Sequence, residues 1–282
     1  MLALLDWPKD QALIGQERSA AMCLELLHRA SIIVDDIVDR DVERRGQPTL
    51  HVRLGIQRTV VVGHLLCALA LREAQRVPDV LKTEILDAYC GMAVGELADI
   101  DRLGWLSEPL QTYERLVLQK TEALFRATFV AAATFPSRAA VSVGMARDIG
   151  VAFGRVYQLA NDHFDDLLAP EGARGGNRLT SLSLSLPTAQ LLDLEPAWRA
   201  RLANCEGDLE PALLRLLVSD RSTRRIAAAS ETAVTKARAR LSALTSSGPA
   251  SWRATLSEAG SWISSNGCWD HSDHCGGAYV GQ

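Results

Sequence analysis

Leu26-Leu27-His28-Arg29-Ala30-Ser31-Ile32-Ile33-Val34-Asp35-Asp36-Ile37-Val38-Asp39 puts acidic side chains into a run that would otherwise suit the core of a helix. Asp35 and Asp39 stand four residues apart, so on a helix they leave the same face, and His28 lies about two turns earlier on that face. Like charges on an apolar stripe repel and lose hydration unless arginine, water or a metal compensates them. A second segment, Gln158-Leu159-Ala160-Asn161-Asp162-His163-Phe164-Asp165-Asp166, repeats the arrangement with Gln158, Asp162 and Asp165 at i, i+4 and i+7. Two such helices facing each other would hold hard divalent cations through oxygen ligands. Mg²⁺ suits a site of that kind when it also takes ligands from phosphate, so a polyanionic substrate is implied. A pair of solvated helix ends is the plainer alternative, and matching spacing with apolar flanks argues against it.

The rest of the chain reads as helix. Hydrophobic residues make up 48% of the 282 and aromatics only 5%, while Ala, Leu, Arg and Glu dominate long stretches, so an all-α fold is expected. Helical periodicity runs over 13–40, 59–74, 80–100, 111–135, 139–168 and 209–244, with Pro48, Pro78, Pro109, Pro136 and Pro170 in the gaps. This predicts a bundle of long helices around a central cavity. Thr180 to Pro187 alternates Ser and Leu, but with no strand to pair with it reads as a loop or the start of a short helix.

Thirty basic residues stand against 34 acidic ones, without the dense basic stripe that nucleic acid requires, so nucleic acid is excluded as a partner. Val60 to Leu71 is too short an apolar run to span a bilayer, and Met1-Leu2-Ala3-Leu4-Leu5 has no positive region ahead of it. The expectation is a cytoplasmic protein without a transmembrane segment. Cys23, Cys67, Cys90 and Cys205 are widely spaced in mostly apolar helical contexts and read as reduced core thiols.

Between the acidic segments, Glu43-Arg44-Arg45-Gly46-Gln47-Pro48-Thr49 offers two guanidinium forks before a turn, and such forks match phosphate oxygens. Lys120-Thr121 adds a point charge. Asp35-Asp36-Ile37-Val38-Asp39, Arg44-Arg45-Gly46-Gln47-Pro48, Gly95-Glu96-Leu97-Ala98-Asp99-Ile100, Lys120-Thr121 and Gly150 through Gln158 to Asp165 together resemble the trans-isoprenyl diphosphate synthase (polyprenyl synthetase) family, from about Leu26 to Pro187. The resemblance implies an isoprenoid synthase-type bundle, usually dimeric. It implies a Mg²⁺-dependent prenyltransferase that ionises an allylic diphosphate and condenses it with isopentenyl diphosphate. It implies catalytic roles for Asp35, Asp36, Asp39, Lys120, Thr121 and Gln158, and substrate binding by His28, Arg44, Arg45 and Lys120. It implies metal binding by Asp35, Asp39, Asn161, Asp162 and Asp165. Ala30 and Ser31 fall where the family sets product length, and both are small.

Several family positions differ. Nothing in Met1 to Val34 matches the Gly-Gly-Lys-Arg segment that binds isopentenyl diphosphate, and the residue before the first Asp pair is Val34 rather than His. A family Asp is His64, the leading Asp of the second motif is Asn161, and Leu182-Ser183 stand in place of Gly-Lys. Two further readings therefore stay open: a terpene cyclase-like enzyme that ionises one allylic diphosphate, and a non-catalytic descendant that serves as a binding or leader domain. The expected organisation is an N-terminal segment over 1–13, the helical domain over 14–265 and a Cys/His/Gly-rich tail over 266–282. The tail carries Cys268, His271, His274 and Cys275, which read as zinc ligands, as part of a peptide that engages a modifying enzyme, or as a tail with no role.

Overall fold

The computed structural model describes residues 15–44, 46–101, 104–135, 141–163, 184–203 and 220–246, together with 253 and 256. Arg45, Asp165, Leu182, Ser183, Cys205, the segment 1–13 and the tail 266–282 lie outside the described residues.

Helix α1 (Gly15–Val38) carries the first acidic segment and ends in a two-residue antiparallel hairpin, β1 (Glu43–Arg44) with β2 (Gln47–Pro48). Then follow α2 (Leu50–Leu54), α3 (Ile56–Ala74) and α4 (Asp79–Ile100). The expected single helix over 111–135 is divided into α5 (Pro109–Val117), a π-helical turn (Leu118–Glu122) and α6 (Ala123–Thr134). Next come α7 (Val143–His163), α8 (Leu186–Leu194), α9 (Pro196–Ala203) and α10 (Asp220–Ser246). The short-helix reading near Pro187 holds from Leu186: the Ser185 hydroxyl accepts the Thr188 amide at 3.3 Å, and Pro187 sits in the first turn, where its missing N–H costs nothing. Helix α9 lies outside every stretch of predicted periodicity.

Helix α6 is buried from Ala127 to Ala133, as a helix apolar on all sides should be. One flank, through Leu124, Ala127 and Val130, packs into a core with Leu24 and Leu27 of α1 and Leu81 and Ile85 of α4. The other, through Phe129 and Ala133, joins Ile149, Phe153 and Val156 of α7 and Leu191 of α8. Phe125 and Phe129 meet Phe153 with ring centroids 5.0 and 5.7 Å apart, the tilted arrangement aromatic quadrupoles favour.

Two glycines set how closely α7 approaches. A Cβ on Gly150 would lie 2.7 Å from the Arg126 Cα, and one on Gly154 would lie 2.8 Å from the Glu122 Cα. Ion pairs between buried glutamates and partly exposed arginines lock this approach. Glu84 of α4 receives Arg126 of α6 and Arg147 of α7, and the fully buried Glu122 accepts Arg155 Nε at 2.5 Å.

The cysteines divide rather than sharing the core. Cys23 is buried, Cys67 is half-buried with its Sγ 2.7 Å from the Tyr89 hydroxyl, and Cys90 is exposed, because it falls on the outward stripe of α4. Among the described residues no helix is long and apolar enough to cross a membrane.

Gly150→Val should destabilise the protein by about 3 kcal/mol, since the clash is with backbone and cannot relax. Gly144→Ala on the same helix, where a Cβ meets nothing within 4 Å, should be neutral or stabilising by about 0.5 kcal/mol. Urea unfolding of the two variants measures both.

Candidate active site

The adjacent carboxylates at the end of α1 face different surroundings. Asp36 is buried and accepts Arg44 Nε at 2.5 Å, while Arg44 Nη2 reaches Asp41 at 3.2 Å. Thr49 donates its hydroxyl to the Asp41 carbonyl at 2.6 Å, closing the hairpin onto the helix end. Burial raises the Asp36 carboxyl above its ordinary range, and the Arg44 guanidinium pulls against that rise. Asp36, expected among the catalytic groups, pairs with Arg44.

Asp35 is half-buried on the other side of α1. Burial first, then the nearby Glu96 carboxylate, push its carboxyl up to about 7; Asp39 adds to the rise and Lys120 opposes it. These neighbours come from three elements. Glu96 and Asp99 leave α4 three residues apart and clamp the Lys120 ammonium, at 2.6 and 2.9 Å. Lys120 reaches them because residue 95 is glycine: a Cβ there would lie 2.8 Å from the Lys120 Cγ. Burial works against the ammonium's charge, but Asp99 and Glu96 outweigh it and hold the lysine protonated well above its ordinary range.

The π turn sends Lys120 and Thr121 to different partners. Lys120 faces α4, whereas the Thr121 hydroxyl donates to Gln158 Oε1 on α7 at 2.8 Å. Gln158 Nε2 donates to Asp162 Oδ1 at 2.8 Å. Asp162 is 1% exposed, and its Oδ2 also accepts the Tyr113 hydroxyl at 2.6 Å and the Leu186 amide at 3.0 Å. A single π turn in an α-helix is a common device at functional sites because it redirects side chains within one segment.

The predicted residues therefore fall into two sets. Asp35, Asp39, Arg44 and Lys120 share one electrostatic neighbourhood, and Thr121, Gln158 and Asp162 share one chain of hydrogen bonds. Asp99 joins the sets, holding Lys120 through Oδ2 and the Leu184 amide through Oδ1 at 3.3 Å. His28 sits two turns before Asp35, and its charge acts on Glu25. Asn161 is half-buried at the end of α7. Ala30 is in the core, and Ser31 turns its hydroxyl back to the His28 carbonyl at 2.9 Å.

The donor set around Asp35 suits a hard cation. Asp35, Asp39 and Glu96 offer only oxygen, and their mutual repulsion is what a divalent ion would relieve. Among the described residues no three acidic, histidine or cysteine side chains converge tightly enough to chelate an ion unaided.

Glu96, Asp99 and Tyr113 carry much of this geometry without having been singled out as site residues. The spacing of Glu96 and Asp99 beside a glycine was a usable signal. Tyr113 gave none, because the π turn alters the helical phase between it and Thr121.

Residues 1–208 match the polyprenyl synthetase family, and the chain belongs to that family. It is 29% identical over 207 residues to the mitochondrial geranylgeranyl pyrophosphate synthase 10 of Arabidopsis thaliana, covering 67% of this chain and 60% of the relative. It is 28% identical over 175 residues to octaprenyl diphosphate synthase of Haemophilus influenzae, covering 62% and 53%. The chain spans about half the length of the curated relatives it matches. The same fold occurs in the crystal structure of geranylgeranyl pyrophosphate synthase from Lactobacillus brevis, with a TM-score of 0.76, 21% identity and coverage of 89% and 80%. It occurs also in heptaprenyl diphosphate synthase from Staphylococcus aureus, with a TM-score of 0.74, 22% identity and coverage of 94% and 85%.

The raised carboxyl of Asp35 carries a sign for stability. The folded chain keeps that proton to about pH 7, whereas an unfolded aspartate loses it near 4. This group's contribution is therefore present below pH 4 and lost as the pH rises through 7. In metal-free buffer Asp35→Asn should raise the melting temperature by at least about 2 °C at pH 8 and leave it unchanged at pH 4. Scanning calorimetry at the two pH values checks both.

Proposed function

We propose that this polyprenyl synthetase family member is a Mg²⁺-dependent prenyltransferase that joins an allylic diphosphate to isopentenyl diphosphate. The observation that carries the reading is the convergence of Asp35, Glu96 and a firmly protonated Lys120 from three elements, beside the Thr121–Gln158 pair. In this reading Asp35 and Asp39 hold Mg²⁺, with Asn161 offering a neutral amide oxygen and Asp165 a further carboxylate. The ion, when bound, supplies positive charge to the diphosphate as its bond to the allylic carbon breaks.

Lys120 and Arg44 bind the allylic diphosphate, each already held by carboxylates that fix its direction and lower the entropy lost on binding. The diphosphate departs with the electron pair of the C–O bond. The double bond of isopentenyl diphosphate then supplies the pair that forms the new C–C bond, and a proton leaves the resulting cation. Thr121 and Gln158 present oxygen dipoles to the developing allylic charge, where fixed dipoles cost no reorganisation. Arg45 and His28 face isopentenyl diphosphate.

The functional unit in this reading is a homodimer. Ile56, Val60, Val61 and Leu65 of α3, and Val94, Leu97 and Ile100 of α4, leave large apolar side chains in solvent, with Val61 66% and Leu97 61% exposed. Apolar surface left uncovered on these two helices favours a partner.

Incubation with Mg²⁺, farnesyl diphosphate and radiolabelled isopentenyl diphosphate should give labelled prenyl products, and EDTA should abolish them. Lys120→Ala should lower kcat/KM by about 10²-fold or more, the loss typical of removing one electrostatic stabiliser. Release of diphosphate without elongation, or no turnover at all, would contradict the assignment. In sedimentation velocity the wild-type chain should run as a dimer and the Val61→Glu, Leu65→Glu double variant as a monomer.

A further inference from the structure

The segment from Leu184 to Leu186 is buried, with extended backbone at Ser185 where it caps α8, and its backbone amides must find acceptors. It finds them in two side chains from different helices. The Leu184 amide donates to Asp99 Oδ1 at 3.3 Å, and the Leu186 amide donates to Asp162 Oδ2 at 3.0 Å. Two carboxylates from different helices thus hold the chain just before α8 and at its first residue. The other oxygens of the same carboxylates lead to the reaction centre: Asp99 Oδ2 holds Lys120, and Asp162 Oδ1 holds Gln158, which holds Thr121.

We infer that Asp99 and Asp162 form a clasp that couples the 184–186 segment to Lys120, Gln158 and Thr121, and that Asp162 is a positioning residue rather than a metal ligand. With 1% exposure and Tyr113, Gln158 and the Leu186 amide all donating to its two oxygens, Asp162 would reach an ion only by giving up at least one of these bonds and by opening a closed site. Its partner Tyr113 is equally committed, since a phenol buried away from water has no solvent to replace the bond to Asp162. The charge of Asp162, the acidic side chain of the second segment among the described residues, is thereby spent inside the protein. The residue beside it that corresponds in order to Asp35 is Asn161, which brings none. The metal-facing charge among the described residues lies with Asp35, Asp39 and Glu96.

The inference rests on the proposed prenyl-transfer reading for its metal, and the test separates the two. Hydrogen–deuterium exchange of the Leu184 and Leu186 amides reports on the clasp. Titration of Mn²⁺ in the presence of inorganic pyrophosphate reports on ligation. Tyr113→Phe removes one hydroxyl and keeps the fold; Asp162→Asn reverses one donor–acceptor pairing, and adding Gln158→Glu restores it. Tyr113→Phe and Asp162→Asn should speed exchange at both amides at least tenfold and leave Mn²⁺ affinity within twofold of wild type. The Asp162→Asn, Gln158→Glu pair should recover slow exchange. Tyr113→Phe should also lower kcat about tenfold with KM for farnesyl diphosphate within twofold. If Asp162→Asn instead weakens Mn²⁺ binding tenfold or more while exchange stays slow, the clasp is overturned. If Asp35→Asn leaves Mn²⁺ binding intact while exchange behaves as stated, the clasp stands and the prenyl-transfer reading fails.

Discussion

The lysine ammonium between Glu96 and Asp99 is the interaction on which the site depends. A half-buried ammonium is held in place by carboxylates at hydrogen-bond distance, and Lys120 has two, at 2.6 and 2.9 Å. Those bonds tie the π turn to α4, and the tie requires residue 95 to lack a side chain. Two acids against one base leave the clamp negative. That surplus, with Asp35 and Asp39 opposite, makes the neighbourhood one that gains from a divalent ion and repels an isolated anion.

The two acidic segments, alike in spacing, do different physical work. In α1 the pair splits: Asp35 looks toward Glu96 and Lys120, while Asp36 turns inward to hold Arg44. In α7 the corresponding split leaves the inward member, Asp162, committed to Tyr113, Gln158 and the Leu186 amide, and puts a neutral Asn161 in the outward place. Carboxylates that hold cationic or polar side chains in place are as necessary to a diphosphate site as those that meet the ligand, because a guanidinium or amide that wanders loses most of its advantage.

Much of this was legible in the residues. The four-residue spacing of Asp35 and Asp39 within an apolar run correctly placed a helix over α1, and the proline gaps bounded most of the helices. Ser185 followed by Leu186-Pro187 marked the start of α8 through its cap and first-turn proline. Spacing could not tell Asp35 from Asp36, since the difference comes from a hairpin that folds Arg44 back on one of them. Nor could it foresee the π turn, which divides a helix with unbroken periodicity and decides that Lys120 and Thr121 part company. The closeness of α6 and α7 rests on Gly150 and Gly154, whose meaning depends on a neighbour distant in sequence.

In the proposed reading, the metal-facing charge among the described residues comes from Asp35 and Asp39 at the end of α1 and from Glu96 of α4, with Asp162 turned inward. Anomalous diffraction from crystals grown with Mn²⁺ and inorganic pyrophosphate tests it most directly. Mn²⁺ peaks are expected within coordination distance of Asp35 and Asp39, with Asp162 still bonded to Tyr113 and the Leu186 amide. A Mn²⁺ peak on an Asp162 oxygen, or pyrophosphate bound with no ion beside Asp35, would contradict it.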